Sequence, residues 1–464
     1  MKKIETDIFL VGAGIMSTTL ASLLTKLGKT KHKIIISERL SNSGLESSDT
    51  LNNAGTGHAG YCELNYTPLY GTKIDISRAL KVNKAFKQSE VFWNYLIDEG
   101  DIKGDFMCKM PHINFVTGIV DSWFLKHRFN KLSKTESFKD KMVFSDKPEE
   151  IKEWIPLMME NRKDDVIAAT KVDDGLEVDF GKLSRYLSKY LIKNGVKIKY
   201  NEEVTDVYKE NDKWIVTQKN LITGDETQIT TKYLFVGAGG ASIRLLTKSG
   251  IPEIKGYGGF PVSGEWFVCQ NPEIVSQHFA KVYGKPNAGS PPMTAPHLDM
   301  RIINGKKSLL FGPYAIATTK LLKFGSWADL FKSINLNNIK TIFGAGLRNT
   351  VLIKYLVTEV FKTRQSKFKE LLAFYPNAVE SDWELVPAGQ RVQVIKSKDG
   401  ESIIQFDTEI VISEDSTIAG LLGASPGAST SVNIMLDLIN ENFGGEKNKL
   451  KIPKTKKQIE GLVN

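Results

Sequence analysis

Only three cysteines occur in 464 residues, Cys62, Cys108 and Cys269, widely spaced and without a CxxC pair. That excludes a disulfide-stapled scaffold and a thiolate metal site, and it suits a reducing cytoplasm. An apolar signal segment is also missing: Met1-Lys2-Lys3 is followed by Glu5 and Asp7, so secretion is not expected. Long hydrophobic runs are lacking. The longest charge-free stretch, Ser416 to Leu436, has the length of a membrane span but is too rich in Gly, Ser, Thr and Pro to be one. Internal repeats and low-complexity segments are absent. Basic residues are not interleaved with aromatics, so no nucleic-acid partner is expected. The net charge of +9 draws heavily on six lysines between Lys447 and Lys457. Such a tail is either a solvated end or a lure for an anionic membrane surface, at about 1 kcal/mol per basic residue near the headgroups.

What is present is an ordinary globular composition, 41% hydrophobic and 25% charged, in a chain long enough for about two or three domains. It opens on a βαβ nucleotide fingerprint. The apolar run Ile8-Phe9-Leu10-Val11 predicts a buried parallel strand, Thr18 to Leu27 a helix, and Ile34 to Ser37 a second strand ending on Glu38. Between the first strand and the helix stand Gly12, Gly14 and Ser17. Gly12 allows the tight turn, Gly14 lets backbone approach a pyrophosphate, and helix N–H groups face the anion. Glu38, 24 residues past Gly14, is placed to accept hydrogen bonds from a ribose. Ser17 fills the third glycine position and is small enough for close helix–strand packing.

Further along, the loop Leu51 to Pro68 offers Asn53, Ala54, Gly55, Thr56 and His58, backbone and polar groups suited to something flat or anionic. Helical spacing from Val82 to Gly100 predicts one buried face. Strand-like, irregular pieces are expected between Asp101 and Arg162. The strands Val196–Tyr200, Glu203–Tyr208 (with Val204, a further cofactor candidate) and Trp214–Gln218 follow. Tyr233 to Gly240, including Gly239, forms a second strand-then-glycine unit that returns to the nucleotide. From Gly256 to about Pro387 a β-rich pattern resumes, with a single helical stretch near Val351 to Phe374. The expected order is a nucleotide domain over 1–84, 176–255 and 386–464, interrupted by a second domain over 85–175 and 256–385.

Three stretches carry chemistry. In Pro296 to Ile302, period-two alternation puts His297, Asp299 and Arg301 on one strand face. An imidazole there can take a hydroxyl proton while a guanidinium grips a carboxylate; a surface Asp299–Arg301 pair is the bland alternative. Gly389-Gln390-Arg391 places a second arginine at a strand start, toward substrate or cofactor. The segment Leu422 to Thr430, with Gly423, Ser425, Pro426 and Gly427, opens a helix running to about Leu438, whose N-terminus suits partial negative charge.

Taken together, GAGIMS, LNNAGTGHAGYCELNYTP, PHINFVTG, EWIPLMM, GAGGASIRLL, PVSGEW, SPPMTAPHLDMR, LLFGPYA, PAGQRVQVIK and LLGASPGAST closely resemble the malate:quinone oxidoreductase family. The pattern His-x-x-x-Arg with Gly-Pro eleven residues later is similar to L-2-hydroxyglutarate oxidases as well, so lactate or 2-hydroxyglutarate stays open as substrate, and so does a flavin-binding protein without turnover. The resemblance implies an α/β fold: a Rossmann-like FAD domain of the glutathione-reductase and D-amino-acid-oxidase type, with a discontinuous β-rich substrate domain. It further implies FAD, L-malate as donor, a membrane quinone as acceptor, and peripheral attachment to the inner face of a bacterial cytoplasmic membrane. On that reading His297 is the base, and Arg301, Arg391 and His58 hold carboxylates. The flavin ring lies between the Asn53–His58 loop and Ser425–Gly427.

Overall fold

The computed structural model describes residues 1–27, 32–286, 295–405, 408–423 and 427–443. The expected cofactor contacts Ser425 and Pro426, and the lysine-rich tail, lie outside these residues.

Lys2–Val11 begins an eight-stranded sheet. Its inner half, Ile8 to Leu10, is fully buried, as a strand covered on both faces must be. It runs parallel to Ile34–Ser37 on one side and to Glu226–Val236 on the other. The latter strand changes partner half-way along. Up to Thr231 it pairs antiparallel with Lys213–Asn220, and from Leu234 it pairs parallel with Ile418–Leu422. The helices Ile15–Leu27, Ser77–Asp98, Phe180–Lys193 and Ser431–Phe443 cover one face, sharing a core with Ile8 and Leu10. The opposite face packs Phe9 and Val11 against Ile243, Leu246 and Val394.

A second sheet of nine strands has the order 401–405, 383–398, 258–269, 306–317, 297–303, 281–283, 112–117, 167–172 and 142–145. Two expected boundaries shift against this layout. Trp383–Lys398 and Glu401–Gln405 belong to the second sheet, while Val392 and Val394 pack with Phe9 and Val11 of the first, so residues from 386 to 405 are shared between the units. Conversely, Val82, Phe86, Trp93 and Leu96 on Ser77–Asp98 fill the first core, so that helix stays with the nucleotide unit.

Local structure departs from expectation in three more places. Ile119–Leu132 is a helix where strands were expected, and Ile119 and Val120 on it are exposed, so its apolar residues do not mark one face. The stretch near 351–374 is two helices, Thr350–Val360 and Arg364–Phe374, the second capped by Thr363, whose hydroxyl accepts from Ser366 N–H. The helix expected to open at 422–430 begins at Ser431.

Candidate active site

Strand register assembles the site. His297–Ile303 lies antiparallel to Lys281–Tyr283, setting Tyr283 opposite His297 and Lys281 opposite Asp299. Because side chains alternate, these four share a face. All four, and Arg301, are buried. His297 Nδ1 bonds Asp299 Oδ2 at 2.8 Å. The Tyr283 ring stacks on the imidazole at 4.2 Å and 3°, and the Trp266 edge meets it at 5.2 Å. Burial depresses the basicity of His297, with Asp299 opposing it, so the ring is held neutral below the ordinary histidine value. Burial disfavours the Asp299 charge too, but His297 and Lys281 outweigh it and keep the carboxyl well below the usual range.

Beneath this pair is a network that sequence patterns did not reveal. Lys281 Nζ lies 3.3 Å from Asp299, 2.6 Å from Glu177 and 3.0 Å from the Ala54 carbonyl. Arg301 donates Nε to Glu177 at 2.5 Å, Nη1 to Asn53 O at 2.8 Å and Nη2 to Thr50 O at 2.9 Å. Two cations thus face two carboxylates, which is what makes four buried ionisable groups tolerable. Lys281 and Tyr283 sit in a strand of three residues, too short for a period to register. Glu177 arrives from the short strand Leu176–Val178, remote in sequence.

The same cations fix the loop above them. Arg301, Lys281 and the Ser429 hydroxyl take the carbonyls of Thr50, Asn53, Ala54 and Thr56. Thr56 Oγ1 bonds the Tyr283 hydroxyl at 2.8 Å, and Asn53 Oδ1 accepts from Gly55 N–H. Gly55 has φ +59°, and a Cβ there would stand 2.3 Å from the Arg301 guanidinium, so only glycine can lie on it. His58 donates its backbone N–H to Ser429 Oγ, and its Nδ1 meets Glu63 Oε1 at 2.6 Å. Burial opposes the Glu63 charge, yet the His58 bond holds that carboxyl below its ordinary range.

A family model described as malate:quinone oxidoreductase matches residues 4–463. A protein of Flavobacterium psychrophilum named probable malate:quinone oxidoreductase is 50% identical over 97% of this chain and 93% of its own length. One of Corynebacterium jeikeium with the same name is 46% identical over 95% and 91%. The chain belongs to the malate:quinone oxidoreductase family. Membership makes it an FAD-dependent oxidoreductase of malate with a quinone acceptor. The fold is shared more widely. Glycine oxidase of Geobacillus kaustophilus superposes with a TM-score of 0.63 at 13% identity over 97% of this chain and 99% of that one. Reduced L-α-glycerophosphate oxidase of Mycoplasma pneumoniae, with FAD bound, gives 0.61 at 15% identity over 94% of each.

The fingerprint residues fit the cofactor of this family. Gly12 has φ +84° and its Cβ position would lie 2.6 Å from the Gly237 carbonyl. A Cβ at Gly237 would in turn be 2.3 Å from Ser17 Oγ, so strand ends and helix meet through glycines with Ser17 filling the remainder. Glu38 accepts the N–H of Ala13 at 2.6 Å and of Leu40 at 2.9 Å. Burial pushes its carboxyl upward against those bonds; with one N–H on each oxygen, a second lone pair on each would suit a ribose hydroxyl. Gly14 lies beside Ser48, whose Oγ accepts the Ile15 N–H. Val204 stands at a β-bulge with its side chain in the core, so only its backbone could serve a cofactor. Gly239 (φ +56°) and Gly423 (φ +89°) both occupy left-handed turns, and Gly427 is buried near the start of the last helix.

The bland alternative of an Asp299–Arg301 pair gives way to another arrangement: Arg301 donates to Glu177, Asn53 and Thr50 at 2.5–2.9 Å, which engages three of its five N–H donors. Arg391 sits on Trp383–Lys398, three strands from His297 in sheet order. Its charge nonetheless reaches both His297 and Tyr283. Among the described residues no group of His, Cys, Asp and Glu is arranged to hold a metal, and no helix is long and apolar enough to cross a membrane.

Proposed function

We propose that this chain oxidises L-malate to oxaloacetate with His297 as the general base and Arg391 as the principal carboxylate ligand. The electrons pass to a membrane quinone, with the protein attached to the cytoplasmic face of an anionic bilayer. The single observation that carries the base assignment is the His297–Asp299 hydrogen bond within a buried, neutral imidazole. Ionised Asp299 requires Nδ1 to carry the proton, so the Nε2 lone pair is the acceptor for the C2 hydroxyl proton of malate. Tyr283 and Trp266 hold the ring plane, and Asp299 stabilises the imidazolium once it forms. Bound FAD supplies the two-electron acceptance that a hydroxyl-to-carbonyl oxidation needs. Arg391 offers a bidentate fork to one carboxylate. His58 would serve the other only as an imidazolium, donating Nδ1–H to Glu63 and Nε2–H to the substrate. Arg301 and Lys281 act through the loop at 50–56, keeping it flat for the cofactor.

The test is His297→Gln, which keeps shape and hydrogen bonding but removes the base. Anaerobic single-turnover reduction by malate should slow by about 10²–10⁴-fold, with FAD retained and malate affinity near wild type. Reduction at the wild-type rate would refute the assignment and move the role to His58.

A further inference from the structure

We propose that the helices Asp329–Ser333, Ile339–Arg348 and Thr350–Val360 form a docking face that inserts apolar side chains into an anionic lipid bilayer. This reading rests on the quinone-acceptor function proposed above and says where the membrane meets the protein.

The polarity of Ile339–Arg348 is inverted. Its inward side is mostly small: Thr341 and Ala345 are buried, Gly344 lies against Ser402, and Ile342 covers Gly258. Its outward side carries Ile339, Phe343 and Leu347 at spacing i, i+4, i+8, all exposed, with Phe343 at 69%. A helix at a water surface has the opposite arrangement. Neighbouring segments continue the pattern, with Phe331 at 65%, Leu336 at 93% and Phe361 at 79% exposed. These helices follow one another along the second sheet, packing on the strands Gly258–Cys269, Lys306–Ala317, Trp383–Lys398 and Glu401–Gln405. The apolar residues therefore crowd one region rather than scatter, as lone surface hydrophobics do.

Charge selects the occupant. From Lys320 to Arg364 there are eight basic residues and two acidic ones; Arg348, Lys362 and Arg364 are paired with Glu401, Glu370 and Glu380 from outside the segment, so Lys320, Lys332, Lys340 and Lys354 supply the charge for headgroups. Of the acidic pair, Glu359 is buried with Lys362 beside it. Apolar side chains bordered by lysines match an acidic headgroup layer over an acyl core. A second copy would present the same excess positive charge to itself, which disfavours self-association. The segment leading into this face also touches the active-site loop: Lys323 Nζ bonds Asn52 Oδ1 at 2.7 Å, and its backbone N–H bonds Glu46. Lipid contact here brings the bilayer next to the loop at 50–56, where a membrane-dissolved acceptor is needed.

The experiment uses the full-length holoprotein and sedimentation with vesicles of neutral phosphatidylcholine, with or without phosphatidylglycerol. The variant Phe343→Ser/Leu347→Ser alters only exposed side chains, and a chain ending at Gly444 serves as comparison. Binding to the anionic vesicles should fall at least tenfold for the double variant and remain within a few-fold for the truncation. Malate oxidation with a water-soluble dye should be unchanged in both, while turnover with vesicle-dissolved quinone should drop in the double variant. Undiminished vesicle binding by the double variant would overturn the docking face. So would loss of binding on truncation alone, or light scattering showing that the double substitution splits a dimer while lipid binding persists. Failure of the wild type to oxidise malate with the dye would instead strike at the function proposed above.

Discussion

Arg301→Met separates a substrate ligand from a buried support. Methionine keeps the length of the stem and removes the guanidinium. The 1% of surface that Arg301 exposes rules out replacement of its bonds by bulk water. Two backbone carbonyls lose charge-assisted donors at 2.8 and 2.9 Å, each worth about 1.5–3 kcal/mol. Glu177 keeps Lys281 at 2.6 Å but loses its 2.5 Å partner. Breaking a buried pair from one side typically costs about 3–5 kcal/mol, and that is the expected loss of unfolding stability. It is a large share of the roughly 5–15 kcal/mol that holds a domain together. Because the freed carbonyls belong to the loop at 50–56, FAD should dissociate more readily. Urea unfolding followed by tryptophan fluorescence gives the first quantity, and flavin retained through gel filtration gives the second. Protein that still holds FAD should show a malate KM within a few-fold of wild type. Unchanged stability and flavin content with a malate KM raised tenfold or more would refute the support role and restore Arg301 as a substrate ligand.

Arg391→Ala should raise the malate KM by about 10–100-fold, the worth of one charge-assisted carboxylate contact, with a smaller effect on flavin reduction at saturating malate; an unaltered KM would remove it from the site. The pH profile of kcat/KM should have an acidic limb with its midpoint below 6.5, because burial lowers the affinity of His297 for its proton; a midpoint above 6.5 would contradict the neutral buried base. Lys281→Met removes a charge that lowers the basicity of His297, so this limb should move to higher pH, a shift that loss of packing alone would not produce. Burial also lowers His112 and His278 to about 4 from 6.5. Between those values the unfolded chain binds protons that the native one does not, so stability should rise with pH from about 4 to 6.5, as acid titrations of the unfolding free energy would register.

The nucleotide unit was legible because its signals are local. Gly12, Gly14, Ser17 and Glu38 lie within one βαβ segment, where steric demands of a tight turn and a close helix fix residue type at fixed spacing. Period-two alternation likewise put His297, Asp299 and Arg301 on one face, and the fold holds them there. Alternation carries no information about what stands on the facing strand. Lys281, Tyr283 and Glu177 reach the site through strand pairing across long sequence separations, and only that pairing decides that Asp299 serves His297 while Glu177 neutralises Arg301. An arginine at the right spacing is thereby bonded to Glu177 and two loop carbonyls, because a buried guanidinium donates to whichever acceptors the fold brings within reach. The domain limits shift for a related reason. Trp383–Lys398 and Ser77–Asp98 have unremarkable local patterns; pairing puts the strand in the second sheet while its Val392 and Val394 pack on the first, and burial of Val82, Phe86 and Trp93 ties the helix to the first core. Sequence determined the chemistry available to this protein; tertiary contacts decided where each of these groups stands and what it bonds.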